Sequence, residues 1–222
     1  MDGRALVERL LADPPRVHEE LNAPPELGVW LTERACYELM AGLVAPGTRT
    51  LETGLGVSTA LFLALGAEHT CIVPSEPQVT ELRRYCDKHG IPTDALRVEL
   101  GRSEDVLPSL SIEPVDLVFI DGSHGFPTPM IDWFYGARLL RRDGVVVLDD
   151  RQLPAVAIVV GYLDADPRWR AVGRTGKWAA FARLTNEPIA GDWYDQPFYA
   201  GTDGSVLLRA LRRFRRGIGF GR

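Results

Sequence analysis

Residues 51–59 read LETGLGVST, and this stretch decides the fold. Its Gly-x-Gly turn joins a short run typical of a β-strand to a helical pattern that begins at Ser58. Such a turn lets a ligand approach the backbone closely, and the amides of the following helix point at that ligand. A dinucleotide dehydrogenase would have a third glycine at position 59, where this chain has Thr59. The stretch therefore predicts the first strand and helix of a different ligand-binding α/β fold.

Apolar runs alternate with amphipathic helical patterns from Thr48 onward. Apolar runs with no polar face, such as 115–120, suit a parallel sheet that is buried on both sides. We therefore predict an α/β fold with a Rossmann-like, doubly wound, mostly parallel seven-stranded sheet and an antiparallel last strand. Strands are predicted at 49–53, 71–73, 96–100, 115–121, 145–149, 169–173 and 178–184, with helices at 58–65, 79–89, 104–110, 131–140 and 155–163.

The chain divides into three regions that we expect to form one folded domain. Residues 1–47 contain two proline pairs and an amphipathic helical pattern from Thr32 to Val44, which predicts an N-terminal helical cap. Residues 48–185 form the α/β core. Residues 186–222 are a C-terminal extension with a basic helix.

Composition excludes several classes of protein. With 222 residues, of which 45% are hydrophobic and 25% charged, the chain is long and apolar enough to fold around a sizeable core. A net charge of −5 argues against a surface that grips nucleic acid all round. The longest uncharged apolar run, 155–163, is too short for a membrane helix, and the N-terminus lacks a secretory signal. Three scattered cysteines predict free thiols, so we expect a cytoplasmic protein.

The last stretch, 205–222, carries six arginines and no acid. Its leucines fall at helical spacing. One interpretation is a solvated arginine face whose leucines pack on the chain's own domain. The other is a helix that contacts an anionic membrane surface, nucleic acid or an acidic partner. The acidic main body weighs against nucleic acid.

Acidic residues follow the fourth and fifth predicted strands. Asp121 ends one strand, and Asp149 and Asp150 end the next. If these strands are neighbours, the three carboxylates converge at the edge where open α/β sheets bind ligands. Carboxylates so close repel each other unless they are protonated or neutralised. A hard divalent cation such as Mg²⁺ would neutralise them, although one of the three could bind an acceptor or cofactor without any ion.

His124 lies in a glycine-flanked loop three residues after Asp121. A histidine there could take the proton of an acceptor hydroxyl near neutral pH. A second cluster, DWYDQPFY at residues 192–199, alternates aromatic and acidic side chains. Such a cluster suits a sugar or a phenol equally, and it could instead be core or interface packing.

The glycine turn, GRSED at 101–105 and VDLVFID at 115–121 together resemble the class I S-adenosylmethionine (SAM)-dependent methyltransferases. Within that class the chain is most similar to metal-dependent O-methyltransferases of the catechol and sugar types. The resemblance implies that the methionine part of SAM lies over Glu52, Gly54 and Gly56, with Ser58 nearby. Adenine would lie beside Ser103 and Glu104, and Asp121 would also face the cofactor. The same resemblance implies a homodimer.

The resemblance extends to the acids and departs at one position. The 28-residue interval between Asp121 and Asp149 matches the metal ligands of that family, in which the third ligand would be Asp150. The family usually has an acid at the end of the second strand that grips the ribose hydroxyls, and this chain has Pro74 there. Glu76 or Ser75 would have to replace it.

We therefore predict a Mg²⁺-assisted, SAM-dependent O-methyltransferase that acts on a hydroxyl of a small molecule, with a sugar or glycoside favoured. In this reaction Asp121 and His124 would be the catalytic residues. Three alternatives stay open: a phenol or catechol O-methyltransferase, a SAM-binding protein without catalysis, and a nucleic-acid methyltransferase recruited by the arginine-rich tail.

Overall fold

A computed structural model describes residues 2–18, 29–189 and 191. Among these residues, two helices precede the sheet: α1 (Gly3–Ala12) and α2 (Arg34–Leu43). The Asp2 carboxylate accepts a hydrogen bond from the Arg4 amide and so caps the start of α1. The basic helix of the extension, the aromatic cluster at 192–199 and the arginine-rich stretch at 205–222 lie outside the described residues.

Strands and helices alternate from residue 49 to residue 183. The strands are β1 (Arg49–Thr53), β2 (Glu68–Val73), β3 (Leu96–Leu100), β4 (Val115–Ile120), β5 (Leu140–Leu148), β6 (Trp169–Arg174) and β7 (Ala179–Arg183). The helices between them are α3 (Val57–Ala64), α4 (Glu76–Lys88), α5 (Ser103–Val106, continued by a 3-10 turn at Leu107–Ser109), α6 (Thr128–Leu139) and α7 (Pro154–Ala165).

The seven strands form one sheet in the order β3-β2-β1-β4-β5-β7-β6. Strands β1 to β5 pair in parallel, whereas β7 pairs antiparallel with both β5 and β6. The predicted doubly wound sheet with an antiparallel last strand is confirmed. The chain reverses its direction of winding between β1 and β4, so the carboxyl ends of these strands flank the crevice where such sheets bind ligands.

Alternate residues of the central strands supply two cores, one on each face of the sheet. Phe119 packs with Tyr37, Phe62 and Leu82 under the helices α1 to α4. Its neighbour Val118 points the other way and joins the core formed with α6 and α7. Because the first core includes residues of α1 and α2, the N-terminal helices cover the sheet directly.

Two strands begin earlier than the sequence indicated. β2 starts at Glu68 rather than at residue 71, and β5 starts at Leu140 rather than at residue 145. The early part of β5 is held by pairing of Leu140 with Val115, although the residues that follow are charged and exposed. Backbone pairing extends these strands beyond their apolar runs.

Two predictions about composition can be compared with the structure. The cysteines are buried and free, as expected: Cys36, Cys71 and Cys86. In the described part of the chain, no helix is long and apolar enough to cross a membrane.

A buried arginine closes the end of α6. The guanidinium of Arg183, on β7, donates hydrogen bonds to the carbonyl oxygens of Ala137 (2.9 Å), Leu140 and Glu187 (2.9 Å). Carbonyl groups at the end of a helix have no partner within the helix, and a cation there complements the helix dipole. This side chain therefore ties α6 to the antiparallel half of the sheet.

Candidate active site

A cavity of about 640 Å³ opens at the carboxyl edge of the sheet. The loops after β1, β4 and β5 form its floor, and residues of the N-terminal region and the β6–β7 link form its sides. Small-molecule sites commonly have this size and this position in an open α/β sheet. The cavity is lined by nine of the predicted site residues, namely Gly54, Gly56, Ser58, Ser103, Glu104, Asp121, His124, Asp149 and Asp150.

The glycine turn is shaped by a close approach of two loops. Gly54 has φ +122°, and a Cβ there would lie 2.6 Å from the carbonyl oxygen of Asp121. Its amide donates a hydrogen bond to the Ile72 carbonyl oxygen (3.0 Å). Gly56 differs, because a Cβ there would meet no atom within 4 Å. Gly54 is therefore required by the fold, whereas Gly56 leaves open space next to the cavity.

Glu52 lies beneath the turn and does not line the cavity. Its carboxylate accepts hydrogen bonds from the hydroxyls of Ser58 and Thr59 (2.8 Å for Thr59) and lies 3.2 Å from Nε2 of His69. Thr59 also accepts a hydrogen bond from the Gly56 amide (3.0 Å). The threonine that replaces a third glycine therefore links the buried acid to the turn. Direct contact of Glu52 with a cofactor stays a prediction.

The part of the cavity around the start of α5 is polar and partly aromatic. Ser103 and Glu104 line it at the start of α5, and Arg102 donates a hydrogen bond to the Glu104 carboxylate (2.5 Å). The pKa of Glu104 is lowered, first by a hydrogen bond from its own amide and then by Arg102. The rings of His18 and Trp30 stack here with centroids 4.5 Å apart.

Pro74 lines the same part of the cavity, at the position where the resembling family has its ribose-binding acid. Of the two residues predicted to replace that acid, Glu76 is exposed at the start of α4, and neither Glu76 nor Ser75 lines the cavity. Gln78, in the first turn of the same helix, does line it and lies within hydrogen-bond distance of His18 (3.2 Å).

The three predicted aspartates lie together in the part of the cavity formed by the loops after β4 and β5. Asp121 directly follows β4, and Asp149 and Asp150 directly follow β5. These strands are neighbours, as the prediction required, and the Asp149 amide donates to the Ile120 carbonyl oxygen (3.1 Å). Asp150 has a left-handed backbone (φ +50°). This conformation turns the chain sharply after the strand.

We call Asp149 and Asp150 the acid pair. Lys177 contacts the carboxylates of both. Its Nζ lies 2.6 Å from Oδ1 of Asp150 and 3.3 Å from Oδ2 of Asp149. The lysine lies in the link between β6 and β7 and lines the cavity. The ammonium therefore neutralises part of the negative charge that the three acids bring together.

Other donors complete the acid pair. The Thr32 hydroxyl donates to Oδ1 of Asp149 (2.5 Å), and the Gln152 amide donates to Oδ1 of Asp150 (2.9 Å). Nε2 of His124 lies 3.3 Å from Oδ2 of Asp150 and 3.7 Å from Oδ1 of Asp121. The predicted proton acceptor thus lies between two carboxylates at the mouth of the β4 loop.

Burial and charge shift the titration of this cluster in opposite directions. Burial and the neighbouring carboxylates raise the pKa of Asp121 well above its ordinary range, against the opposing charge of Lys177. Burial lowers the pKa of His124, although nearby acids oppose the shift. For Asp150 burial acts upward, but the hydrogen bonds from Lys177 and Gln152 outweigh it and lower the pKa.

The acids do not fit a metal ion in this arrangement. Mg²⁺ requires short, direct contacts to carboxylate oxygens, and the oxygens of the acid pair already face Lys177, Thr32 and His124. Among residues 2–18, 29–189 and 191, no group of three or more His, Cys, Asp or Glu side chains is arranged to hold a metal ion. The expected magnesium site is thus replaced, in its geometry, by a lysine bridge.

Asp132 on α6 is buried behind the cavity. Only 1% of the residue is exposed, and neither carboxylate oxygen has a hydrogen-bond partner of good geometry. Burial raises its pKa to about 6, against the opposing effect of the nearby hydroxyls of Ser103 and Thr53. This carboxyl group therefore lies next to Ser103, which lines the cavity.

The sequence did not point to several residues of this cavity. Lys177 and His18 line it from segments that are distant along the chain, and the Thr32 hydroxyl contacts Asp149 from the N-terminal region. One signal was present for Lys177, because the chain has only two lysines among its 25 basic residues. A lone lysine in a short link between two strands is a candidate for a specific contact.

Residues 51–151 match the family described as "Methyltransferase domain". The match begins in β1, includes the glycine turn and Asp121, and ends one residue after Asp150. This segment is therefore similar to a methyltransferase domain. Lys177 and the N-terminal helices lie outside the matched segment.

A curated relative is similar to this chain over much of its length. The chain is 32% identical over 130 residues to a catechol O-methyltransferase of Mycobacterium tuberculosis, an alignment that covers 57% of this chain and 58% of the relative. The chain thus spans about half the length of the curated relatives it matches.

The fold of this chain recurs in two solved structures of methyltransferases. The O-methyltransferase TomG of Streptomyces achromogenes, in complex with SAM, has a TM-score of 0.61 at 18% identity, covering 81% of this chain and 90% of its own. The SAH-bound methyltransferase PaMTH1 of Podospora anserina has a TM-score of 0.57 at 18% identity, covering 82% and 88%.

Proposed function

We propose that this chain is a SAM-dependent O-methyltransferase that transfers a methyl group to a hydroxyl of a small molecule. One observation carries the proposal: a single cavity is lined both by the glycine turn and by a cluster of acids with His124 and Lys177. A cofactor and an acceptor can therefore lie side by side. Much of the rate of such a displacement comes from that placement.

The residues present fit the cofactor. The open space beside Gly56 gives room for a ligand against the backbone, and Glu52 holds the turn in place from below through Ser58 and Thr59. Ser103 and Glu104 would face the adenine. When bound, SAM supplies an electrophilic methyl group on a sulfonium. We further propose that Gln78 takes the place of the absent ribose-binding acid next to Pro74, since Glu76 is directed to solvent.

His124 is the proposed proton acceptor. Its lowered pKa keeps the imidazole neutral near pH 7, so that it can take a proton from the acceptor hydroxyl. The Asp150 carboxylate, 3.3 Å away, then stabilises the imidazolium that forms, because opposite charges attract at this distance. No step is assigned to Mg²⁺.

Two acceptor classes follow from different observations. A sugar or glycoside hydroxyl is the class that the sequence favours. The name of the Mycobacterium tuberculosis relative favours a catechol as the second candidate. A panel of glycosides and catechols with radiolabelled SAM separates them, because only members of the true class will take up the label. A homodimer also stays a prediction, to be measured by light scattering.

The decisive experiment for the function is calorimetric titration of S-adenosylhomocysteine into the full chain. Binding is expected, and a Gly56→Val variant should lose it because the side chain fills the space next to the turn. A wild-type chain that binds no S-adenosylhomocysteine would contradict the proposal. Binding without methyl transfer to any member of the panel would favour the non-catalytic alternative.

A further inference from the structure

The carboxylates of the acid pair share one cationic partner, Lys177, which lies in the link between β6 and β7. Lys177 Nζ contacts both carboxylates, and its own backbone is fixed in turn. The Arg151 amide donates to the Lys177 carbonyl oxygen (2.7 Å), and the Lys177 amide donates to the Thr175 hydroxyl oxygen (3.1 Å). The ammonium is therefore held by the segment that follows the acid pair and by its own link.

The choice of lysine is specific in this chain. Lysine occurs only at positions 88 and 177, and all other basic residues are arginines. Lysine presents a compact charge with three donors, whereas arginine presents a planar fork. Of the ions a protein can build from its own side chains, an ammonium is the nearest in shape to a metal cation. Two of its N–H groups satisfy the acid pair, which leaves a third for an oxygen in the cavity.

We propose that the Lys177 ammonium occupies the cation position of this site, so that methyl transfer by this chain requires no metal. This inference rests on the proposed function. The ammonium holds the acceptor hydroxyl and stays protonated throughout. The acceptor oxygen forms a bond to the methyl carbon, the carbon–sulfur bond breaks, and sulfur keeps the electron pair. The hydroxyl proton passes to His124 and then to solvent, which leaves a methyl ether and S-adenosylhomocysteine.

The proposal makes a prediction about metal binding that does not depend on turnover. Lys177→Ala leaves Asp121, Asp149 and Asp150 together without a cation. The variant should bind Mn²⁺ at least about 100-fold more tightly than the wild type, because a unit positive charge a few ångström from the ion is removed. Titration of Mn²⁺, followed by the electron paramagnetic resonance signal of the free ion, measures this in the full chain after treatment with chelator.

Two further variants make the comparison specific. Lys88→Ala removes the same charge from an exposed pair with Asp13 and should leave Mn²⁺ binding as weak as in the wild type. Lys177→Gln is a second test in case the alanine variant unfolds. Tight Mn²⁺ binding by the wild type would overturn the proposal. So would the absence of binding in both Lys177 variants when their thermal melting shows them folded.

Turnover gives an independent arm once an acceptor is known. The wild type should keep its rate in the presence of chelator, and Lys177→Gln should lose most of it. A wild-type rate that disappears with chelator and returns with Mg²⁺ would refute the inference. Failure of S-adenosylhomocysteine to bind would contradict the proposed function instead, and the Mn²⁺ comparison would still stand by itself.

Discussion

Replacing Asp132 by asparagine tests whether this buried carboxyl group, which lies next to Ser103, lowers the free energy of unfolding. The two side chains have nearly the same size, so the substitution removes the charge and keeps the packing. Asp132 is 1% exposed and has no hydrogen-bond partner of good geometry, so water does not stabilise its charged form. Burial of an unpaired carboxylate is costly, and the pKa rises to about 6 as a result.

The size of the effect follows from the shift in pKa. Between the ordinary value of 3.8 and about 6, the unfolded chain has lost the proton and the folded chain keeps it. Since the folded state then binds more protons, stability falls as the pH rises through this window. At about 1.4 kcal/mol per pH unit, the whole shift amounts to about 3 kcal/mol. Below the window the stabilising proton is present in both states, and the contribution no longer changes.

Urea unfolding followed by tryptophan fluorescence, at a series of pH values from about 4 to 7, measures the prediction. The free energy of unfolding of Asp132→Asn, relative to the wild type, should rise by about 3 kcal/mol across that range. Other titrating groups cancel in the difference. Asp164→Asn removes a carboxylate from an exposed pair with Arg174 and is the matched control for the substitution itself. A stability difference for Asp132→Asn that does not change with pH would contradict the predicted effect of burial.

Three other substitutions give predictions of different kinds. Gly54→Ala puts a Cβ against the backbone of the loop after β4 at a positive φ, and it should cost several kcal/mol of stability in thermal unfolding. Gly56→Ala should melt near the wild-type temperature but bind S-adenosylhomocysteine more weakly. Equal melting temperatures of the two variants would contradict the close approach of Gly54 to the Asp121 loop. Arg183→Met should cost about 3 kcal/mol in urea unfolding because three carbonyl groups lose their donor, with exposed Arg142→Met as the near-neutral control. His124→Gln should lower kcat by about 100-fold or more without loss of S-adenosylhomocysteine binding, and an unchanged kcat would exclude it as the proton acceptor.

Much of the fold could be predicted because its signals are local. The runs at 49–53 and 96–100 coincide with β1 and β3 to the residue, since continuous apolar or alternating segments between turns leave few choices. The early half of β5 could not be predicted in this way. Its residues 141–143 are charged and exposed, and they lie in a register shift between the pairing of Leu140 with Val115 and that of Val145 with Leu117. The bounds of helix α1 could likewise not be predicted, although its residues belong to the predicted cap.

The candidate site divides along the same line. The acids at 121, 149 and 150 could be placed together because parallel strands end at one edge of a sheet. Their charge balance could not be predicted, because Lys177 arrives from a link 27 residues beyond Asp150 and its contact depends on the antiparallel placement of β7. The role of Glu52 was also hidden. Its hydrogen-bond partners, Ser58 and Thr59, lie in the first turn of α3, and the carboxylate is buried beneath the glycine turn rather than in the cavity.

The link that carries Lys177 has a consequence for how the site comes into being. Its backbone is hydrogen-bonded to the segment after the acid pair, so folding of the chain alone brings the cation and the acids together. A centre that incorporates an ion from solution matures only after folding and only as fast as the ion is supplied. Here the charged centre is finished when the chain is folded. Its occupancy is fixed by translation at one cation per polypeptide, whatever the concentration of metal around it.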